Sequence, residues 1–364
     1  MDRKEIRGYD AVRNAAKDFD TYSSDLLGDR DVRTYRQLPL EADPPRHTSF
    51  RSAVQPLFLS AAIEPKVKKF EALARKLISE ITARGGGEIA SDISLPFVIG
   101  CLAIIYDRPQ DYDEWLSWGP DVWTADSHSS GAAQHVRDGA TLQAYLDKVF
   151  DAAQANIVTD PEQQDVWDVV SQLQVDGGPI SRDEMQGIAN VLLAGGRDTV
   201  IKLLTGLTWH LVANEADREF LKSNQDWFNR TIAEMVRYLS PLPKMERVLL
   251  EDRTPNDADR NVDNYVLLSF VSANHDKNIW PDHAVVDIHR ERKPHLAFGF
   301  GRHSCMGMNI TEHEAGAFLR VLLSDWPNWQ FDGEPEIEWS HAEAADGSPI
   351  RYIDRFKSLK VKVA

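Results

Sequence analysis

The sequence predicts a mainly α fold carrying small β-sheets. Most segments with clear hydrophobic periodicity repeat at helical spacing, with runs at 9–19, 65–84, 181–213 and 227–236. Segments rich in β-branched and apolar residues are short, at 247–250 and 265–271. No repeat, low-complexity tract or long linker divides the 364 residues, which suffice for a sizeable core in one large domain or two ordinary ones.

Charge narrows the classes. With 41 Lys+Arg against 57 Asp+Glu the formal net charge is −16, which argues against a nucleic-acid-binding surface. Two cysteines, Cys101 and Cys305, imply a reducing compartment and no disulfide framework. The start, Met1-Asp2-Arg3-Lys4-Glu5, opens directly into charged sequence, so we expect neither signal peptide nor membrane anchor, and a soluble, cytoplasmic protein.

In chain order, Tyr9, Val12, Ala15, Ala16 and Phe19 share one helical face. Asp43-Pro44-Pro45 sets a turn before a helix in which His47 and Arg51 stand one turn apart, a pair able to grip an anion. From 65 to 84 an amphipathic helix points Val67, Phe70, Leu77 and Ile81 inward and Lys66, Lys68 and Lys69 outward, ending at Gly85-Gly86-Gly87. Leu95 to Tyr106 is apolar nearly all round, the mark of a central buried helix, and places Cys101 in the core. Trp115, Trp118 and Trp123 are expected to be core residues, and 126–131 a loop between helices.

Ser181-Arg182-Asp183-Glu184 is a capping box that starts a helix running to about Ala213. Gly195 and Gly196 interrupt it, at a cost of about 2 kcal/mol relative to alanines, so a further requirement must favour them. Such breaks often mark functional sites. Further on, Glu234 and Arg237 share a helix face, Pro241-Leu242-Pro243 stops that helix, and 247–250 and 265–271 read as strands.

The stretch Phe298-Gly299-Phe300-Gly301-Arg302-His303-Ser304-Cys305-Met306-Gly307 delivers one cysteine to the head of an apolar helical run. Gly299 and Gly301 allow positive φ, and Gly307 removes a side chain just past the sulfur. A thiolate there faces helix N–H groups from Met306 onward, which favour the deprotonated sulfur as a metal ligand. Haem iron suits this geometry, because an axial thiolate favours O–O cleavage.

The spacing Phe-Gly-x-Gly-x-His-x-Cys-x-Gly resembles the haem-binding signature of the cytochromes P-450, and other segments match that family in order. The resemblance implies one haem-binding domain over 1–364, with a shorter start than usual. It implies haem b with Cys305 on the iron, Phe298 and Gly307 binding the haem from the same loop, and His47, Arg51, Arg247 and His303 toward the propionates. Gly195 then leaves room for dioxygen beside the haem, Thr199 resembles the oxygen-activating threonine, and Asp198 resembles the acid that relays protons from solvent. Val191, Ala194, Leu242 and Pro243 match pocket positions, and Glu234, Arg237 and Arg290 match a structural cluster that holds the cysteine loop. The 126–131 loop matches the family's substrate lid, and 351–363 its last hairpin, so no fused reductase is expected to follow.

The function implied is monooxygenation of a small organic substrate, by hydroxylation or oxidative O- or N-dealkylation. Electrons would come from NAD(P)H through a separate ferredoxin or flavodoxin with its reductase. Three rivals stand beside it: a peroxide-driven peroxygenase, a thiolate-haem sensor, and a haem-free helical protein. Departures from the family pattern at Ser272–Lys277, Val262–Asn264 and Ile310–Glu314 touch the strands and the helix behind the cysteine, and so bear on partner choice.

Overall fold

The computed structural model describes residues 4–26, 35–119, 132–250 and 265–364, with 132–140 as backbone alone. The helix Leu95–Ile105 forms the centre because it is apolar on every side, and nine of its eleven residues are buried, Cys101 among them. Around it pack the amphipathic helix Val67–Ala83 and the helix Arg197–Ala213. The helix Met308–Ser324, which follows the cysteine loop, lies against Val67–Ala83, Arg197–Ala213 and Phe228–Leu239. The cysteine loop is therefore carried on the same bundle as the glycine-broken helix.

The sheets are small, as expected. Four strands lie in the order Lys4–Ile6, Tyr265–Ser269, Lys244–Leu249, Tyr22–Ser23, the first pair parallel with Lys4 opposite Val266 and the others antiparallel. Glu336–Glu343 and Pro349–Ser358 form an antiparallel hairpin. Lys360–Val363 pairs between Gly86–Glu88 and Trp329–Phe331.

Several local expectations are corrected. The strand expected over 265–271 ends at Ser269, whose side chain accepts from the Ser272 amide and caps the short helix Phe270–Asn274. The final hairpin lies at 336–358, while the last strand leaves it for the other sheet. The first helix stops at Ala15, short of Phe19, and a strand precedes it. Lys66 does not project freely: its ammonium donates to the Ile104 and Ile105 carbonyls at 2.9 Å each and pairs with Asp107, closing the C-terminus of the central helix. Trp115 and Trp118 are core residues. Trp123, the 126–131 loop and the Val262–Asn264 departure lie outside the described residues. Among the described residues, no helix is long and apolar enough to cross a membrane.

Candidate functional site

The site is held from behind by a charge cluster. Glu234 and Arg237, one turn apart on Phe228–Leu239, form a bidentate pair with both contacts at 2.8 Å, and Arg290 donates to Glu234 Oε1 at 3.1 Å. Glu234 is 7 % and Arg237 1 % exposed, so neither charge could be buried without the other. The remaining donors of Arg237 go to the carbonyls of Asn274, His283 and Val285, and Arg290 reaches those of Pro281, Asp282 and Val285. Asn274 extends the cluster to the loop: its Oδ1 accepts from the Leu296 amide at 2.7 Å and its amide donates to Ser240 Oγ. Sequence reasoning noted the 272–277 segment only as a departure from the family pattern and missed Asn274. The available signal was an amide side chain inside an otherwise apolar stretch.

The loop itself is shaped by glycine. Gly299 and Gly301 have φ of +67° and +74°, where a Cβ is strained, and at Gly301 it would also meet the Ala16 carbonyl at 3.1 Å. The Cys305 amide donates to the Phe298 carbonyl at 2.8 Å, closing the loop. Phe298 itself is half-buried. Arg13 and Lys17 stand over the Phe300 ring at 4.7 and 5.0 Å.

Cys305 is exposed, yet the atoms around it desolvate the thiol enough to raise its pKa. Against that burial act the Gly307 amide, the Arg51 guanidinium and the Met308 amide, each favouring the thiolate. The amides are those of Gly307 and Met308, one residue later than the expected start at Met306. Gly307 has a φ of −76°, and a Cβ there would sit 3.6 Å from Cys305 Sγ, an ordinary contact, so among the described residues none requires a glycine at 307.

Beside the sulfur, groups suited to an anion converge. His47 is 2 % exposed and stacks on His303 with ring centroids 4.1 Å apart. Among the described residues, neither ring nitrogen of His47, nor Nε2 of His303, has a hydrogen-bond partner. Burial, then Arg51 and Arg302, push the His47 pKa down to about 4, and burial drives His303 lower still. Arg51 donates to Ser304 Oγ at 3.5 Å, and Arg247, 5 % exposed, donates to the Glu246 carbonyl at 2.7 Å. Buried imidazole nitrogens left unpaired are costly, and acidic groups delivered by a ligand would satisfy them. The donor set therefore fits a group that brings carboxylates to His47 and His303 and a metal to Cys305.

The long helix expected to run to Ala213 is two helices, Arg182–Ala194 and Arg197–Ala213. Ser181 and Glu184 form the expected capping box. Gly195 and Gly196 make the break; Gly195 is exposed, and a Cβ on Gly196 would meet open space. Asp198 and Thr199 fall in the first turn after it, Asp198 exposed and paired with Arg197, Thr199 half-buried. Val191 and Ala194 are half-buried on the preceding helix. Leu242 is 37 % exposed, and Pro243 is half-buried with its carbonyl accepting from the Val271 amide.

The cytochrome P450 family model matches residues 226–335, which span the charge cluster and the cysteine loop. A steroid C26-monooxygenase of Mycobacterium tuberculosis is 28% identical over 337 residues, covering 90% of this chain and 88% of its own. Cytochrome P450 109 of Bacillus spizizenii is 26% identical and covers 98% of this chain and 85% of its own. Among solved structures, a carbohydrate active P450 superposes with a TM-score of 0.84 at 25% identity, over 100% of this chain and 93% of that one. A Bacillus megaterium P450 solved with testosterone gives 0.80 at 22% identity, over 99% and 91%. Fold and site thus define an oxidoreductase class built around a haem. The chain belongs to the cytochromes P450 and is a P450 monooxygenase, an enzyme that uses haem and dioxygen on small molecules with electrons from redox partners.

Proposed function

We propose that the chain, as one domain over 1–364, hydroxylates or oxidatively O- or N-dealkylates a small organic substrate, using haem b held by Cys305. One observation carries the reading: an amide-flanked sulfur beside buried, unpartnered imidazole nitrogens of His47 and His303. When bound, the haem supplies reductive activation of dioxygen. The protein's part is to hold and to protonate. Cys305 offers a sulfur whose charge the Gly307 and Met308 amides and Arg51 favour. His47, Arg51, Arg247 and His303 hold the propionates, and Glu234, Arg237 and Arg290 fix the loop that carries the sulfur. Gly195 opens the helix, Asp198 takes protons from solvent, and Thr199 passes them inward through its hydroxyl. Val191, Ala194, Leu242 and Pro243 line the substrate side.

The names of the relatives include a steroid C26-monooxygenase, a cyclomarin C epoxidase and a carbohydrate active P450, so at this distance they support the reaction class and not one substrate. For the electron donor we infer an acidic ferredoxin or flavodoxin, with its reductase and NAD(P)H. In a chain of net charge −16, Arg13 and Lys17 gather on Phe300 of the cysteine loop, beside Arg302 over Phe19, and this favours an acidic partner there. The reducing compartment implied by two unpaired cysteines agrees with cytoplasmic residence.

Asp198 and Thr199 together speak against the peroxide-driven rival, which needs no proton relay. The test is turnover by the purified red protein with a ferredoxin, its reductase and NADH, after small aromatics, ethers, sugars and terpenoids are screened by optical displacement of the iron's water. Reductase-driven product formation supports the proposal. Equal turnover on hydrogen peroxide alone favours a peroxygenase, and binding without turnover favours a sensor.

A further inference from the structure

Behind the charge cluster, two histidines meet at a cleft of about 260 Å³ between the 275–283 segment and the tip of the 336–358 hairpin. His275 is 2 % exposed and forms part of the lining, and His283 stands half-buried beside it. Their Nδ1 atoms face each other at 3.4 Å, with the ring planes 84° apart. A further contact fixes the protons. His275 Nε2 lies 3.0 Å from the Tyr238 carbonyl, which can only accept, so Nε2 carries the hydrogen and Nδ1 presents a lone pair. By themselves the two rings are satisfied when His283 Nδ1–H donates to that lone pair, over a distance long for such a bond. Burial, ahead of Arg237, lowers the basicity of both rings and keeps them neutral, the state in which an imidazole binds a metal. The pair includes a residue of the 272–277 segment, one of this chain's own departures from the family pattern.

We propose that His275 and His283 bind a transition-metal dication of the zinc class through their Nδ1 atoms, with water completing an open coordination shell. Imidazole nitrogens lie about 2.0–2.1 Å from zinc, and two of them in a tetrahedral arrangement stand about 3.4 Å apart, the separation these Nδ1 atoms already have. The bond from His275 Nε2 to the Tyr238 carbonyl is the outer contact that orients a ligating histidine. Binding asks one proton to move from Nδ1 to Nε2 of His283, with no net gain or loss of protons. The cation does not enter a field of unmatched positive charge, since Arg237, Arg290 and Lys277 stand together with Glu234, Asp276 and Asp346. Asp276 favours positive charge at His283, and Asp346 lies on the exposed rim of the cleft. Among the described residues no group of three His, Cys, Asp or Glu side chains forms a complete cage, so affinity rests on the two imidazoles and on solvent oxygens. The ion ties together the two ends of the 275–283 segment, whose carbonyls at Pro281, Asp282 and His283 accept from Arg290 and Arg237. The site is thus a clasp behind the charge cluster, and it stands independently of the haem reading.

The test is calorimetric titration of the purified, chelator-stripped full chain with zinc chloride at neutral pH, for the parent, His283→Ala, His275→Gln and His341→Ala, with the thermal midpoint followed in parallel. The parent is expected to bind one zinc ion per chain and to melt at a higher temperature as zinc is raised. Loss of either imidazole is expected to weaken binding at least about tenfold, the smallest cost of losing even an outer contact of a metal site, and to remove the gain in midpoint. His341 is exposed on the hairpin strand Glu336–Glu343, away from the cleft lining, so His341→Ala is expected to leave both readouts as they are. Three results overturn the proposal: no zinc uptake by the parent, uptake that His283→Ala leaves unchanged, or uptake that His341→Ala abolishes. His275→Gln keeps a donor for the Tyr238 carbonyl. Should that variant fail to fold, His283→Ala, at a half-buried position, decides alone.

Discussion

His47 and His303 lie ring against ring, centroids 4.1 Å apart and planes tilted by 52°, with three of their four ring nitrogens unpartnered among the described residues. Burial keeps both rings uncharged, so the pair forms without repulsion and at the cost of unsatisfied donors. A ligand carboxylate removes that cost, and the protein alone does not.

The first prediction follows directly. His47→Phe preserves the ring contact and gives up no hydrogen bond within the protein, so apoprotein stability should change by less than about 1 kcal/mol. Haem affinity should fall about tenfold, the worth of one hydrogen bond to a charged group. Urea unfolding of the apoprotein and transfer of haem to apomyoglobin measure the two. Equal losses in both would show that His47 serves packing alone.

Glu234→Gln removes the carboxylate that Arg237 and Arg290 share. Breaking a buried pair on one side costs about 3–5 kcal/mol, and here it also loosens the segment that ends at Leu296. We expect a lower urea midpoint together with loss of haem. Retention of both would show that the arginine contacts to carbonyls are sufficient.

Thr199→Ala separates the enzyme from its rivals. In a monooxygenase it leaves NADH consumption running while the share of electrons reaching product falls by about tenfold or more and hydrogen peroxide rises, since a positioned proton-transfer group typically contributes about a hundredfold or more. In a sensor, ligand affinity stays as it was and no product share exists to fall. Parallel assays of NADH, peroxide and product decide the matter.

Stability should depend on pH through histidines remote from the sulfur. Burial, then Arg237, lowers the pKa of His275 to about 3 and of His295 to about 4, both from 6.5. The Ala297 amide donates to His295 Nδ1, while the bond between His275 Nε2 and the Tyr238 carbonyl at 3.0 Å opposes the lowering without overcoming burial. The unfolded chain binds protons that these folded rings refuse, so stability rises with pH across this range. It is full above about 6.5 and is lost as pH falls toward 4. Urea midpoints at pH 7 and pH 5 should differ in that sense, and His295→Gln should narrow the gap.

The cysteine loop was legible because its chemistry needs fixed residue types at fixed spacing: Gly299 and Gly301 take the positive φ expected of them. The Glu234–Arg237 pair was legible because helix geometry places i and i+3 side by side. Asn274 was not, since its role depends on a segment of chain, near Leu296, that only tertiary structure brings close. Lys66 misled for the same reason: a lysine beside two others reads as a solvated face until the end of Leu95–Ile105 arrives within 2.9 Å. Arg197 sits inside a recognised motif, yet its burial is invisible in a sequence that marks every arginine as polar. The Gly195–Gly196 break was foreseen as a weak point, whereas its outcome as two separate helices required the structure.

The central claim is that Cys305 binds the haem iron through sulfur. The most direct measurement is the absorption spectrum of the dithionite-reduced protein under carbon monoxide, taken for the parent and for Cys305→Ser. The account predicts that the parent shows the long-wavelength band for which the family is named and that the serine variant lacks it. A parent without that band, or a serine variant that keeps it, would contradict the account.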